Sequence, residues 1–208
     1  RRVLFRSTGP NNNSVLELYA ARDIVLNNQI TVTAGALSLS LNSATSNAAG
    51  TIQLNNGTIS LGGGQFWANG NTILGADVTI LSGAGGAVFQ GAVDGAHILD
   101  VTATGGSVAF LGKVGDTTPL AGLGVTADAL TIVADTIKTD ATTGFVNIFA
   151  PVSLQSDLTV TGSSIAFGNT VESDGTPRSL SVDATNGAVT FLNNVGGNGN
   201  AQIGRAHV

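Results

Sequence analysis

Apolar residues in this chain recur at every second position in short runs, and each run is broken by glycine or asparagine. Leu37, Leu39 and Leu41 alternate with Ser38 and Ser40. Ile52 and Leu54 are followed by Asn55-Asn56-Gly57, then by Ile59 and Leu61. The same step links Val78 with Ile80, Val108 with Phe110, Leu130 with Ile132 and Val146 with Ile148. It continues in Leu158/Val160, Ile165/Phe167, Leu180/Val182 and Val189/Phe191. A period of two places alternate side chains on opposite faces of a strand, so each run predicts a strand with one buried face. Val, Ile and Thr suit that pleated surface, and Gly or Asn supplies the turns. No window carries the apolar stripe of a helix. The sequence predicts an all-β chain.

Longer-range repetition narrows the architecture. Phe89 aligns with Phe167 and Val93 with Val171, both 78 residues apart. Beyond a three-residue excess around 173–178 the offset becomes 81, matching Leu99 with Leu180, Val108 with Val189, Phe110 with Phe191 and Val114 with Val195. The stretches 88–115 and 165–196 therefore read as an internal duplication. Apolar positions and glycines match, while the length change falls between runs, as in a coiled repeat with a variable loop. A sandwich or barrel also uses short, regularly spaced strands. A solenoid accounts better for duplication, because each coil touches only its neighbours and copies add freely. With coils of roughly 20 residues stacked about 4.8 Å apart, on the order of ten coils and a rod about 45–50 Å long are expected.

The two ends read differently from the rest. Arg1–Ser7 back-translates to CGA CGT GTG CTC TTC CGA TCT, and the inverted complement of that string encodes Ile-Gly-Arg-Ala-His-Val, the residues Ile203–Val208. The string resembles a short-read sequencing adapter. Residues 1–7 and 203–208 are therefore expected to be adapter-derived scars, leaving 8–202 as the repeat segment and an uncapped fragment prone to end-to-end association. Within that segment only Arg22, Lys113, Lys138 and Arg178 are basic, against all 13 acidic residues of the chain.

Charged residues are 10% of the chain, where about 25% is usual, yet 42% are hydrophobic. Such a chain has apolar surface to bury and is no disordered acidic tail. Four basic residues make no phosphate-tracking patch, which disfavours nucleic acid. Apolar stretches are interrupted too often for a membrane-spanning helix. Cysteine is absent, which excludes disulfides and thiolate metal sites. Few charges suit a stacked fold, since identical charges one rung apart repel, while Ser, Thr and Asn hydrogen-bond along a ladder.

The segment SVLELYAARDIVLNNQITVTAGALSLSLNS, with GTIQLNNGTISLGGGQFWANG after it, resembles the repeats of filamentous-haemagglutinin-type exoproteins. So does VNIFAPVSLQSDLTVTGSSIAFGNTVESDGTPRSLSVDATNGAVTFLNNVGG. The motifs are Asp23-Ile24-Val25-Leu26, Ile52–Thr58 and Ser164–Phe167 with Val189–Phe191, and the resemblance covers nearly all of Thr8–Gln202. It implies a right-handed parallel β-helix (a β-solenoid), export through a partner outer-membrane transporter, and an adhesin at the bacterial cell surface or released from it. A glycan or protein receptor on a host or other surface would follow, as would neighbouring coils of a longer parent chain.

Candidate sites are few. Gly122, Gly124 and Ala127, with Asp140 further on, fit a dinucleotide fingerprint, but Pro119 precedes them and the strand-like run Leu130–Val133 follows; a Gly-rich turn between coils is the plainer reading. His97 is the one histidine of the repeat segment and reads as an outward polar residue beside Ile98. The loop Glu172-Ser173-Asp174-Gly175 offers too few oxygens for calcium on its own, and Asp135 with Asp140 forms the other acidic grouping. Phe66-Trp67 is the one candidate for an aromatic sugar platform, but a residue packed on the outside of a coil or under a loop is the plainer reading. Lys113, Lys138 and Arg178 lie a coil or more apart with no partnered acidic cluster, unlike the paired groups of a polysaccharide-acting β-helix enzyme. No catalytic, cofactor-binding or metal-ligating residue is assigned. The expected role is a stalk segment of a surface adhesin; a polysaccharide-acting enzyme and a phage or surface-layer fibre are the rivals.

Overall fold

The computed structural model describes residues 2–8, 13–43, 50–55, 57–197 and 203–207, with side chains placed within 14–197. Asn56 of the Asn55-Asn56-Gly57 turn lies outside the described residues. The chain is an all-β solenoid whose strands stack in parallel. Each coil contributes one strand to each of three faces.

The first face stacks Asn13–Tyr19, Ala36–Asn42, Phe66–Asn69 and Ala87–Phe89. It continues through the second halves of Ile98–Phe110 and Gly122–Ile132 to Val152–Leu154 and Val171–Ser173. The second runs from Ile24–Leu26 through Thr51–Leu54, Asn71–Leu74 and Val93–Asp94 to the single bridging residue Val114. It then passes through Thr136–Lys138 and Leu158–Gly162 to Arg178–Ala184. The third runs from Ile30–Thr31 through Thr58–Ser60 and Val78–Leu81 into the first halves of Ile98–Phe110 and Gly122–Ile132. Phe145–Phe149, Ser164–Phe167 and Val189–Phe191 complete it. The two long strands turn the corner between third and first faces without a break, which fuses those faces into one 15-stranded sheet.

Between Asn13 and Phe191 each ladder has eight rungs, which makes eight complete coils among the described residues where ten were expected from the sequence; Val195, bridged to Val171, begins another. Most coils are longer than assumed. Phe66 pairs with Ala87 and Ala87 with Val108, a step of 21, but Leu39 to Phe66 takes 27, while Phe145 to Ser164 and Val152 to Val171 take 19. At about 4.8 Å per rung the rod is roughly 35 Å long. One ladder is antiparallel: Arg2–Thr8 lies against Asn13–Tyr19 at one end. At the other, Ile203–His207 pairs in parallel with Arg178–Ala184. Among the described residues one turn of 3-10 helix, Gly83–Gly85, interrupts the β structure.

The alternating apolar residues read from the sequence fill the interior. Leu37, Leu39, Leu41, Ile52, Leu54, Ile59 and Leu61 are buried, and so is every later pair through Leu180/Val182. Val189 and Phe191, in the last coil, are half-buried against the same core. On the first face the rings of Phe66, Phe89 and Phe110 pile up, with centroids 5.4 and 5.1 Å apart. On the third face Phe167 stacks on Phe191 at 5.1 Å.

That placement gives the internal duplication a physical meaning. Phe89 and Phe110 lie on the first face, whereas their sequence matches Phe167 and Phe191 lie on the third. Val93 is on the second face and its match Val171 on the first. The two stretches present the same inward residues, including a stacked Phe pair, but one face out of phase. All three faces demand the same thing, an apolar side chain every second residue, so one strand-turn-strand unit can serve on any of them.

Acidic residues hold the coils together at their corners. Asp23, Asp77 and Asp157 each stand just ahead of a strand and accept the backbone N–H of Thr51, Ile98 and Ser179, one coil further on, at 2.8–2.9 Å. Asn ladders do the same between neutral groups: Asn69 donates to Asn42 at 3.2 Å and Asn55 to Asn27 at 2.9 Å. The N–H and hydroxyl of Thr51 hold the Asp23 carboxyl below its ordinary value of 3.8. The N–H groups of Thr143 and Thr142 do so for Asp140, and Arg178 for Asp174. A depressed carboxyl stabilises the fold above its unfolded value and loses that contribution as pH falls through the folded one. Thermal melting should therefore be insensitive to these three groups above about pH 4 and fall as pH drops below 3.8. Asp23→Asn, which keeps an accepting oxygen, should flatten that fall, as melting curves at pH 2.5–7 would register.

Among the described residues the buried polar side chains are few, and Thr72 sits at an inward strand position. Thr72 is fully buried between Ile52 and Val93 on the second face, and its hydroxyl has no partner among the described residues. Thr72→Val keeps the shape and removes the unpaired hydroxyl. It should stabilise the chain by about 1 kcal/mol in urea titration, the low end of the usual cost of an unsatisfied buried polar group.

Candidate functional site

Most candidate residues from the sequence are occupied by structure. His97 is partly exposed, with Nδ1 3.5 Å from Asp77, while Asp77 also takes the Ile98 N–H. Lys113 lies 3.4 Å from Asp116 and 3.7 Å from Asp135. Asp140 accepts from the N–H groups of Thr142 and Thr143 within its own turn. In the Glu172 loop, Glu172 accepts the Gly197 N–H, and Asp174 pairs with Arg178 at 2.8 Å. The two carboxyls thus bind chain donors. Among the described residues no group of three or more His, Asp or Glu side chains could hold a metal.

One expectation needs correction. Gly122, Gly124 and Ala127 form no turn between coils: they lie within the strand Gly122–Ile132, with no helix opening behind them, so the dinucleotide fingerprint has no structural counterpart. At Phe66-Trp67 a single ring lies on the outside of its coil. Alternation sends Phe66 into the core stack, fully buried, and leaves Trp67 on the outer surface between Ser40 and Val88.

The hollow that does stand out lies on the outer side of the third face, and those same glycines make it. Asp100, Gly124 and Asn147 are register partners on three successive coils, flanked by Thr102, Thr126 and Phe149 on one side and by Gly122 and Phe145 on the other. Elsewhere this face carries side chains at such positions. At Gly124 the missing Cβ lets the Asp100 carboxylate lean across the strand, and at Gly122 the ring of Phe145 does likewise. A Cβ at either position would collide with that neighbour. The result is an open depression of about 330 Å³ floored by glycine and rimmed by two aromatic rings.

Val146 and Ile148 point inward, so Phe145, Asn147 and Phe149 all point out. Phe149, at 52% exposure, is one of the most exposed large apolar side chains described, although its ring rests against Gly168. Partial burial, then the charge of Asp77, push the Asp100 carboxyl above its ordinary value. Its sign is opposite to the corner aspartates: the charged form is penalised in the folded state at neutral pH, and the penalty is relieved as pH falls through the raised value. Asp100→Asn should accordingly raise the melting temperature at pH 7 and leave it unchanged near pH 3.

Two sequence signals mark this place. One is aromatic residues at the outward positions of Phe145-Val146-Asn147-Ile148-Phe149; the other is two glycines at the outward positions of the strand Gly122–Ile132. A second hollow, of about 440 Å³ on the second face, is lined by Asp135, Asp157, Thr159 and Ser181. Its carboxylates are already engaged, Asp157 by the Ser179 N–H and Asp135 by Thr136 and Lys113.

No protein-family profile, curated protein sequence or solved structure matches this chain.

Proposed function

We propose that residues 8–202 are a stalk segment of a large secreted bacterial surface adhesin of the filamentous-haemagglutinin type. One observation carries the reading: three eight-rung ladders enclose a continuous apolar interior, while the outer surface is mainly uncharged Ser, Thr, Asn and Gly. A fold in which each coil contacts only its neighbours converts sequence length into physical length, which is what a stalk requires. Mainly neutral outer faces keep like charges from stacking in register along the ladders. A chain without cysteine can cross an outer-membrane transporter unfolded and coil up outside, with no oxidation step. The resemblance in repeat sequence supplies the secretion route and the surface location.

The catalytic alternative is less well supported. Glycoside hydrolysis ordinarily uses two carboxyls across the scissile bond, and Asp100 is the single carboxylate lining the third-face hollow.

Surface exposure is directly measurable. Antibodies raised against the purified chain should label intact cells of the producing bacterium, or material shed from them. Labelling confined to permeabilised cells would overturn the proposal.

A further inference from the structure

We propose that the hollow between Asp100, Phe145 and Phe149 is a binding subsite for an uncharged glycan. The inference gives the adhesin reading a ligand class and depends on that reading only for its biological setting.

The chemistry of the lining selects the ligand. Sugar rings present two kinds of surface, a ring of hydroxyls and faces of C–H groups. Phe145 and Phe149 stand four residues apart on one strand, about 13 Å along it, a span suited to a short run of linked rings. Their rings offer the π faces against which polarised C–H groups pack. Asn147 lies midway between them and both donates and accepts. Asp100 is an acceptor across the glycine floor, and Thr102 and Thr126 add hydroxyls beside it. None of these four polar side chains has a hydrogen-bond partner among the described residues, so their full capacity faces the hollow.

Charge narrows the choice. Asp100 is the one ionisable residue lining the hollow, no Lys or Arg reaches it, and Asp77 adds further negative potential nearby. Sulfated glycans, polyuronates, phosphates and nucleic acid would each bring like charge to an acidic depression. An uncharged saccharide brings hydroxyl donors to Asp100 and no repulsion.

The floor is specific to one coil. Above and below the Gly122/Gly124 level the same register carries Asp100 and Asn147, so the depression does not repeat along the rod. The geometry therefore gives one subsite in this segment.

The test is titration of the intact chain, by calorimetry or NMR, with neutral α- and β-linked hexose oligosaccharides up to about 10 mM, a range in which weak sites saturate. Heparin and polygalacturonate serve as anionic probes. At least one neutral oligosaccharide should bind, and the anionic probes should not. Phe149→Ala removes a largely exposed ring and should weaken binding about tenfold with the thermal melt preserved. Asn147→Ala should do likewise, while Trp67→Ala, on a different face, should leave affinity unchanged. Absence of binding by every neutral probe, preference for an anionic one, or affinity in the Phe149 and Asn147 variants unchanged from that of the parent chain would each overturn the subsite. Surface labelling of cells is independent of all these readouts, so failure here leaves the adhesin proposal standing, and the reverse.

Discussion

Leu39→Asp is expected to destabilise the chain by about 4 kcal/mol, the usual cost of an unpaired charge in a core. Ser40→Asp, one residue on, is expected to change stability by less than about 0.5 kcal/mol. Leu39 is 1% exposed and pairs in register with Leu16 below and the buried Phe66 above. No donor lies within that apolar stack to receive a carboxylate. Ser40 stands on the outer surface, where its hydroxyl accepts from Asn42 at 3.0 Å, a role an aspartate oxygen can take over. Val182 and Ser181 repeat the contrast six coils away on the second face: Val182 is 2% exposed, and Ser181 pairs with the outward Thr159. Urea titration of all four variants would decide it. Equal losses at inward and outward positions would contradict the assignment of faces on which the fold depends.

Phe89→Ala is expected to cost about 4 kcal/mol, within the range for emptying a buried phenylalanine site. Phe89 is fully buried with one ring below it and one above, Phe66 and Phe110. Its loss removes two ring contacts and leaves a void that the rigid ladders on either side cannot close. Phe191→Ala should cost about half as much, because that ring has one stacked neighbour and is only half-buried. In a solenoid the damage stays near the defect, since stability is a sum over coils and their interfaces. Hydrogen exchange should therefore accelerate in coils adjoining Phe89 and stay slow around Ile148 and Val160.

How far these effects could be foreseen varies with their range. Leu39, Ile80, Phe110 and Val160 were legible as inward residues because a strand's side-chain period is two and the alternation is unbroken. The number of coils was less legible. Coil length depends on how many residues each corner takes, and the corner at 103–107, where one strand spends two more residues than its neighbour, looks in sequence like any other glycine pair. The corner aspartates were seen only as scattered acids. Their partners, such as Thr51 for Asp23, are 28 residues away, one coil on. Gly122 and Gly124 read as a turn for the same reason: glycine in isolation signals positive φ, and only the neighbouring coils show an extended strand stripped of side chains.

The sequence by itself determined that the chain is β throughout, which residues point inward, and that the coils stack rather than close, because these follow from local periodicity and repetition. Tertiary structure alone decided which face each run occupies, why the duplicated stretches sit one face apart, and where Asp100, Asn147 and Phe149 meet. Those are relations between residues some 20 positions apart across a ladder, set by the lengths of the corners between them. A strand pattern carries no record of which rung will lie above it.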